Sequence, residues 1–590
     1  MEPPNAGPPL PIPRFAVLLA AALLATAAAP AERWFEDVTA RAGVAAKHVN
    51  RTFHNPYAAI MAGYTALGAS VAVADFDGDG FEDLFVTNSA ENGKNHLYHN
   101  NGDFTFTDVA QKAGVADGND ANNASADALW FDYDNDGKPD LFVVRFGRSQ
   151  LFHNLGNGRF REVTREAGLD RYANAITAIA FDYDRDGDLD LFVGGYFKPV
   201  NIFQPTSPRF FPESFETAEN GGGLTLWRND GHGHFTDATR AAGIALSGWT
   251  LDLGHADADG DGDDDLYVAC DFGTDRFLLN NGDGTFTDRT REATGIDTKK
   301  GMNADWGDYD NDGWLDVFVT NITDDYMREG NFLWRNNGLN EAGEVTFSDV
   351  SSETGVHDTG WGWGAKFFDY DDDGWLDLYV VNGWVSAGPE SYVPDVFAMI
   401  TRPNVDLTDA RNWPPMGNKS LSGYQKKRLF HNQGGFFKEE AARHGLDSTR
   451  DGRGIAVADF DNDGRLDLFV ANANAEPYLY RNVRPAGVHW VSFLLEGRKS
   501  NRDAVGAQLR ATAGGRSTQL RFVDGGNGFA GQSSRRVHFG LGSAAAVDRL
   551  EVRWPSGLRQ TFDKIPADRM WRIVEGERGL KPFIAEVRKK

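Results

Sequence analysis

The stretch DYDNDGWLDVFV at 308–319 decides the reading of this chain, because its pattern occurs seven times. The other copies are DFDGDGFEDLFV from Asp75, DYDNDGKPDLFV from Asp132, DYDRDGDLDLFV from Asp182, DADGDGDDDLYV from Asp257, DYDDDGWLDLYV from Asp369 and DFDNDGRLDLFV from Asp459. Every copy has Asp at positions 1, 3, 5 and 9, Gly at 6 and Val at 12. Carboxylates on alternate residues, followed by a sharp glycine turn, wrap a hard cation in oxygen, and Ca²⁺ is the cation such a set suits. The expected ligands are Asp75, Asp77, Asp79 and Asp83; Asp132, Asp134, Asp136 and Asp140; Asp182, Asp184, Asp186 and Asp190; Asp257, Asp259, Asp261 and Asp265; Asp308, Asp310, Asp312 and Asp316; Asp369, Asp371, Asp373 and Asp377; and Asp459, Asp461, Asp463 and Asp467. The residue at position 7 ranges from Phe81 to Lys138 to Trp314, which suits a position that lends only its backbone carbonyl. Four carboxylates crowded into nine residues repel one another unless a cation sits among them, so about seven Ca²⁺ per chain are expected.

The first nine positions are also those of an EF-hand loop, which needs a bidentate Glu at position 12 and a helix on each side. Position 12 here is Val86, Val143, Val193, Val268, Val319, Val380 or Val470. The flanks, such as ALWF before Asp132 and LFVV after Asp140, are aromatic and β-branched, which marks strands. Each loop therefore joins two strands.

A third segment follows each pair, for example HLYHN at 96–100 or FLWRN at 332–336, then a turn and a fourth, such as FTFTDVAQKAGV. Four strands repeating at about 50 residues mark a propeller blade. The fold expected is all-β: a seven-bladed β-propeller over 32–483. Loop starts are 57, 50, 75, 51, 61 and 90 residues apart. The surplus in the two long intervals falls between second and third strands, at about 196–223 and 383–427. Such insertions lie on one face, often a binding face, opposite the loops. They carry Phe203, Phe210, Phe211, Tyr392, Phe397 and Trp413, which either meet a ligand or pack the inserts onto the ring. The seventh unit, ending at PYLYRN (477–482), lacks a fourth strand, and RWFEDVTARAGV at 33–44 stands alone at the other end of the array. The expectation is that the second completes the first and closes the ring without a free edge.

His99, His153 and His431 end the third segments in units 1, 2 and 6, where other units have Arg228, Leu279, Arg335 and Arg481. The exchange reads as a strand-packing position with a polar tip. The single cysteine, Cys270, excludes internal disulfides and reads as a buried thiol at a strand end.

The chain of 590 residues carries a net charge of −27. Such acidity excludes a nucleic-acid binder, which needs a basic face. Residues 15–31, FAVLLAAALLATAAAPA, are short for a membrane span and end in small residues, so 1–31 reads as a signal peptide cleaved after Ala29-Pro30-Ala31. No other stretch is apolar enough to span a bilayer. The expected location is secreted, or periplasmic or cell-envelope.

From 488 onward the charge reverses, with 19 Lys and Arg against 10 Asp and Glu. Segments such as HWVSFLLEG, GAQLRATAG and VDRLEVRWPSG alternate apolar and polar residues between glycine-rich turns. They predict a small β-sandwich or barrel over 488–580, whose arginines line a solvated strand face or dock on the acidic propeller.

The repeats resemble the FG-GAP/VCBS repeats of integrin α-type propellers, through the DxDxDGxxD loop. The last hundred residues resemble the ASPIC/UnbV domain, through NRDAVGA (501–507), GGNGFAGQSS (525–534), HFGLG (538–542) and VRWPSG (552–557). The combination resembles bacterial relatives of cartilage acidic protein 1. The resemblance implies a secreted Ca²⁺-binding protein and supplies no activity. No nucleophile elbow, zincin motif or zinc spacing is present, so no catalytic residue is assigned. The functional expectation is a binding or adhesion module for a glycan or protein ligand. The alternatives are a Ca²⁺-assisted polysaccharide-active enzyme and a structural envelope or assembly factor.

Overall fold

The computed structural model describes residues 33–61 and 63–585, so the expected signal peptide lies outside the described residues. The chain is almost entirely β and propeller-like. Its loops organise seven four-stranded antiparallel units. Unit 5 is typical, with strands Asn303–Gly307, Asp316–Thr320, Phe332–Leu339 and Val345–Asp349 in spatial order. Units 2 and 3 are joined in one sheet, because Tyr172–Phe181 pairs with Asp140–Arg148 as well as with its own neighbour. The first strand of each unit touches that of the next, and Gly452–Ala458 of unit 7 touches Val71–Ala74 of unit 1, so contact runs in a closed cycle.

The seventh unit is completed from the N-terminal side, as the sequence predicts. Phe35–Asp37 pairs antiparallel with Tyr478–Asn482, in the register Phe35 to Asn482. Phe35 and Val38 are buried at 3% and 1% exposure. Phe35 takes the place that Phe106 takes opposite Asn100 in unit 1.

Residues 489–582 form two four-stranded sheets packed face to face. One holds His489–Glu496, Val537–Gly542, Arg569–Val574 and Lys581–Pro582; the other holds Gln508–Thr512, Gln519–Phe522, Ala546–Arg553 and Arg559–Pro566. Val491, Phe493, Leu509, Phe539, Leu550 and Ile573 fill the space between them. This sandwich lies on the loop end of the ring. Arg536 reaches Glu82 at 2.8 Å, Arg510 donates to the Gly313 carbonyl at 2.9 Å, and Arg516 donates to the Asp373 carbonyl at 2.6 Å. Of the two roles open to the arginines, these three take docking.

Residues 525–534, the glycine-rich GGNGFAGQSS stretch, leave the sandwich and enter the axis of the ring. There they bond to the first strand of every unit. The Val71 amide donates to the Ala530 carbonyl, Ala180 to Gly525 and Ser534 to Val457. The Gln532 carboxamide exchanges two hydrogen bonds with the Trp130 backbone, at 2.7 and 2.9 Å. Asn527 does the same with the backbone of His255, at 2.8 and 2.9 Å. Phe529 donates to Asn303, and Lys366 donates to the Asn527 carbonyl. Glycine is required for this approach: a Cβ on Gly531 would collide with the Ile455 carbonyl, and one on Gly525 with that of Ala180.

At the other end, the two expected inserts lie where the spacing puts them, between Asp190–Phe197 and Gly221–Asn229 and between Asp377–Asn382 and Arg428–Asn432. A third, at 47–70, precedes the first loop and so leaves no trace in the loop spacing. The three meet one another. Phe210 donates to the Thr408 carbonyl, Ala410 to Pro208 and Met416 to Ala59. Rings stack between them, Phe211 on Trp413 at 4.9 Å and Phe53 on Phe203 at 5.7 Å.

Candidate metal centres

Each loop holds its shape through its own carboxylates. In the loop from Asp75, one oxygen of the position 1 carboxylate accepts the amide of Asp79 and the other that of Gly80, at 3.0 and 2.9 Å. Asp79 accepts the Phe81 amide at 3.0 Å. Five further loops, from Asp132, Asp182, Asp308, Asp369 and Asp459, repeat all three bonds. The Asp at position 9 accepts the amide of an Asn at the end of the third strand, as Asp83 does from Asn100 at 2.7 Å. These local bonds turn the carboxylates at 1, 3 and 5 inward. In the first two loops, Asp75, Asp77 and Asp79, and Asp132, Asp134 and Asp136, bring oxygens within 4.8 Å of one another, and Asp83 and Asp140 join through Asp77 and Asp134. These acidic clusters fit a metal.

Two further positions hold the loops in place, and both recur in the sequence as a small set of residue types. Position 4 is left-handed in every loop, with φ between 55° and 80° at Gly78, Asn135, Arg185, Gly260, Asn311, Asp372 and Asn462. Gly, Asn and Asp dominate there because they tolerate that region. The carboxamides of Asn135, Asn311 and Asn462 also reach forward, donating to the carbonyls of Gly187, Gly374 and Gly80 in the next loop. The third-strand Asn is fully buried and clamps two loops together. Asn154 donates to Pro139 of its own loop and Phe76 of the preceding one, and Asn100 does the same to Glu82 and Phe460 across the ring closure. The same clamp is made by Asn229, Asn280, Asn336, Asn432 and Asn482.

The electrostatics favour a cation. Burial, more than any neighbour, pushes the position 1 carboxyls up: Asp75 to about 6, Asp182 and Asp308 to about 7, Asp132 and Asp459 to about 8. Burial likewise raises Asp140 to about 7, and Asp83, Asp190, Asp316, Asp377 and Asp467 well above the carboxylate range. A buried oxygen on each of Asp140, Asp184 and Asp461 meets no hydrogen-bond donor. Orphaned anionic acceptors are costly unless a cation takes them, so the donor set fits Ca²⁺.

The loop from Asp257 departs from the pattern. Asp257 accepts the Gly260 amide at 2.8 Å. Arg553 of the sandwich pairs with Asp257, and Arg185 of the preceding loop pairs with Asp263.

The third-strand histidines pack edge-on against Phe76, Tyr133 and Tyr370, and their polar tips have a definite place. Their rings face the carboxylates: His99 Nδ1 is 3.4 Å from Asp83 and 3.7 Å from Asp77, and His153 Nδ1 is 3.2 Å from Asp140 and 3.4 Å from Asp134. His431 Nε2 is 3.3 Å from Asp371 and 3.8 Å from Asp373. Those carboxylates raise the imidazoles, His431 to about 10. In units 3 and 7 the same position gives Arg228 and Arg481, which pair with Asp184 and Asp461.

Of the two roles open to the aromatics of the inserts, most take packing. Phe203, Phe210, Phe211 and Tyr392 are between 0% and 6% exposed, and Trp413 packs partly buried against the same cluster. They hold the inserts onto the ring. Phe397 alone of the six is exposed, at 42%, joined by Tyr424 at 58%. Cys270 is a buried free thiol, as expected, and burial raises its pKa. Among the described residues, no helix is long and apolar enough to cross a membrane.

Comparison with known proteins agrees with the repeats. Residues 132–193, 257–319 and 420–470 match the FG-GAP-like repeat, 67–103 the FG-GAP repeat, and 497–579 the ASPIC and UnbV family. Cartilage acidic protein 1 of Xenopus tropicalis is 29% identical over 255 residues, and that of Homo sapiens 26% over 254. The Xenopus match spans 38% of this chain and 38% of that protein; the human match spans 38% and 37%. Among solved structures, an Agrocybe aegerita lectin that recognises non-reducing terminal N-acetylglucosamine aligns over 69% of this chain and 86% of its own, at 18% identity and a TM-score of 0.34. A Bacillus licheniformis rhamnogalacturonan lyase aligns over 70% and 71%, at 14% and 0.33. Likeness at that level adds nothing to what the strand pairing gives. With these repeats and that C-terminal domain, the chain is an FG-GAP repeat protein with a C-terminal ASPIC and UnbV domain, the arrangement of the cartilage acidic protein 1 homologues.

Proposed function

We propose that this chain is a secreted, Ca²⁺-loaded binding module: a seven-bladed propeller over 32–483 with an ASPIC/UnbV domain over 488–580. In this reading the 28 loop aspartates hold about seven Ca²⁺, and recognition of a glycan or protein takes place at the insert end. The observation that carries the choice of face is the course of residues 525–534. They fill the axis from the loop end and bond to the first strand of all seven units. The sandwich behind them covers loops, so the insert end is the broad face left to a partner. Phe397 and Tyr424 stand exposed on one insert there, and exposed aromatic rings suit both sugar faces and protein contacts. The Ca²⁺ ions act as structural ties between units and take no chemical step.

A glycan array probed with the Ca²⁺-loaded full chain tests this, alongside the double variant Phe397→Ala, Tyr424→Ala. The expected result is a defined glycan class retained by the wild type and lost by the double variant at unchanged melting temperature. Binding that the double variant keeps would move recognition off this face.

A further inference from the structure

We propose that the groove between the sandwich and the loop from Asp257 is a second recognition site, for a glycan that carries carboxylates, with Arg549 and Arg559 as the cations that meet it. This goes beyond recognition at the insert end and stands apart from it.

The groove measures about 370 Å³ and runs between Gly260 and the outer face of the second sheet. Strand pairing fixes which side chains share that face, because residues opposite each other project the same way. Gln508, Arg553 and Arg559 form one row across the strands, and Arg510, Glu551 and Thr561 the next. Arg549 precedes Glu551 by two positions on the same strand and so points the same way. All of these side chains line the groove.

The arginines are held by partners that leave donors to spare. Arg510 donates to the Gly313 carbonyl and Arg553 to that of Gly260, each at 2.9 Å, and Arg553 also pairs with Asp257. Arg549 Nε donates to Glu551 at 2.8 Å. A guanidinium carries five N–H groups, so most remain for a ligand. Arg559 is exposed and stands opposite Arg553, and no carboxylate among the described residues pairs with it. Like charges directly opposite on neighbouring strands are destabilising. Burial, and then the Arg559 and Arg185 guanidiniums, lower Arg553 to about 10. A bound anion relieves that repulsion.

The chemistry of the groove selects among anions. Guanidinium forks match a planar carboxylate through two parallel N–H···O bonds. Glu551 lies in the midst of the arginines. It repels a chain of closely spaced charges but accepts hydrogen bonds from hydroxyls, and Thr561 sets an exposed hydroxyl beside it. The net charge of −27 further disfavours a nucleic acid. Arg549 and Arg553 lie on one strand about 13 Å apart, so the ligand is longer than one sugar ring. A sugar chain whose carboxylates are spaced along hydroxyl-bearing rings meets these conditions.

Titration calorimetry on the Ca²⁺-loaded full chain tests this. The probes are a short glucuronate oligosaccharide, its carboxyl-reduced neutral twin and a single-stranded oligodeoxynucleotide of similar length. The variant is Arg549→Gln, Arg559→Gln, which spares Arg510 and Arg553, the two that hold the propeller loops, so the fold is expected to stand. A melting curve in Ca²⁺ checks this, and Arg559→Gln alone replaces the pair if it melts early. The expected result is that the wild type binds only the glucuronate chain, that the variant binds it on the order of tenfold more weakly, that added salt weakens it, and that Phe397→Ala, Tyr424→Ala leaves it unchanged. A glucuronate chain that fails to bind, binds the arginine variant equally or is matched by its neutral twin would overturn the proposal. Equal binding of the oligodeoxynucleotide would overturn the choice of a glycan. Loss of binding in Phe397→Ala, Tyr424→Ala but not in the arginine variant would overturn the groove and leave recognition at the insert end.

Discussion

At one end of the ring, acidic loops lie beneath a basic sandwich; at the other, three inserts meet through aromatic rings. The loop end is built from charge and hydrogen bonds. Arg536 on Glu82, Arg553 on Asp257 and His538 on Asp372 tie the sandwich to the loops. The insert end is built from apolar area. Phe211 is wholly buried between Tyr64 and Trp413, and Phe197 packs against Tyr64 and Trp249. The difference follows from what each end must hold. Crowded carboxylates cannot sit in an apolar cluster without counter-charge or hydrogen-bond donors, and the loop end sets arginines and backbone amides against them. Inserts without such a crowd of carboxylates fold back on their own aromatics.

The sharpest way to break this contrast is to remove the cations. A ligand bound only to the folded chain stabilises it by about 2.7 kcal/mol per site at a hundred times its Kd. With several sites and no disulfide, excess chelator is expected to lower the melting temperature strongly. An unchanged curve after verified metal loss would mean that the arginines and backbone donors suffice at the loop end.

Next in size is the ring closure, which both ends share. A chain beginning at Ala45 loses Phe35 and Val38 and leaves Tyr478–Asn482 as an open edge. Terminal residues matter in this way only when tied into a sheet. It is expected to be less soluble and to melt far below a chain beginning at Glu32, measured side by side by thermal unfolding.

Single substitutions then separate the two ends. Phe211→Ala at the insert end is expected to cost about 3–5 kcal/mol by cavity formation, the same with and without Ca²⁺. Asn527→Ala in the axis removes two hydrogen bonds with the His255 backbone and leaves buried groups unpaired, for about 2–3 kcal/mol. Its cost is expected to be read at the loop end, as weaker association of the sandwich. Denaturant titration of each variant in Ca²⁺ and in chelator checks both. A Phe211→Ala cost that vanishes with the metal would show the two ends to be one cooperative device.

The loop end was the legible one. Seven copies of one pattern put the strands, the turn and the carboxylates on the page, and the stray RWFEDVT segment placed the closing strand. The parts missed share a physical cause: they depend on neighbours distant in sequence. Asn100 stands in HLYHN as a plain strand end, and only the fold brings it to Phe460, 360 residues away. His99 reads as interchangeable with Leu279 until the strand turns its ring toward Asp83. The glycines of GGNGFAGQSS signal a tight backbone without saying that the tight place is the axis of another domain. At the insert end, aromatic composition alone could not tell packing from display, and burial of Phe203, Phe210, Phe211 and Tyr392 decides for packing.

The central claim is that the seven loops are cation sites holding the loop end together. Elemental analysis of the full chain, purified in divalent cations and freed of unbound metal, tests it directly. About seven bound Ca²⁺ per chain is the result expected; three or fewer would contradict it.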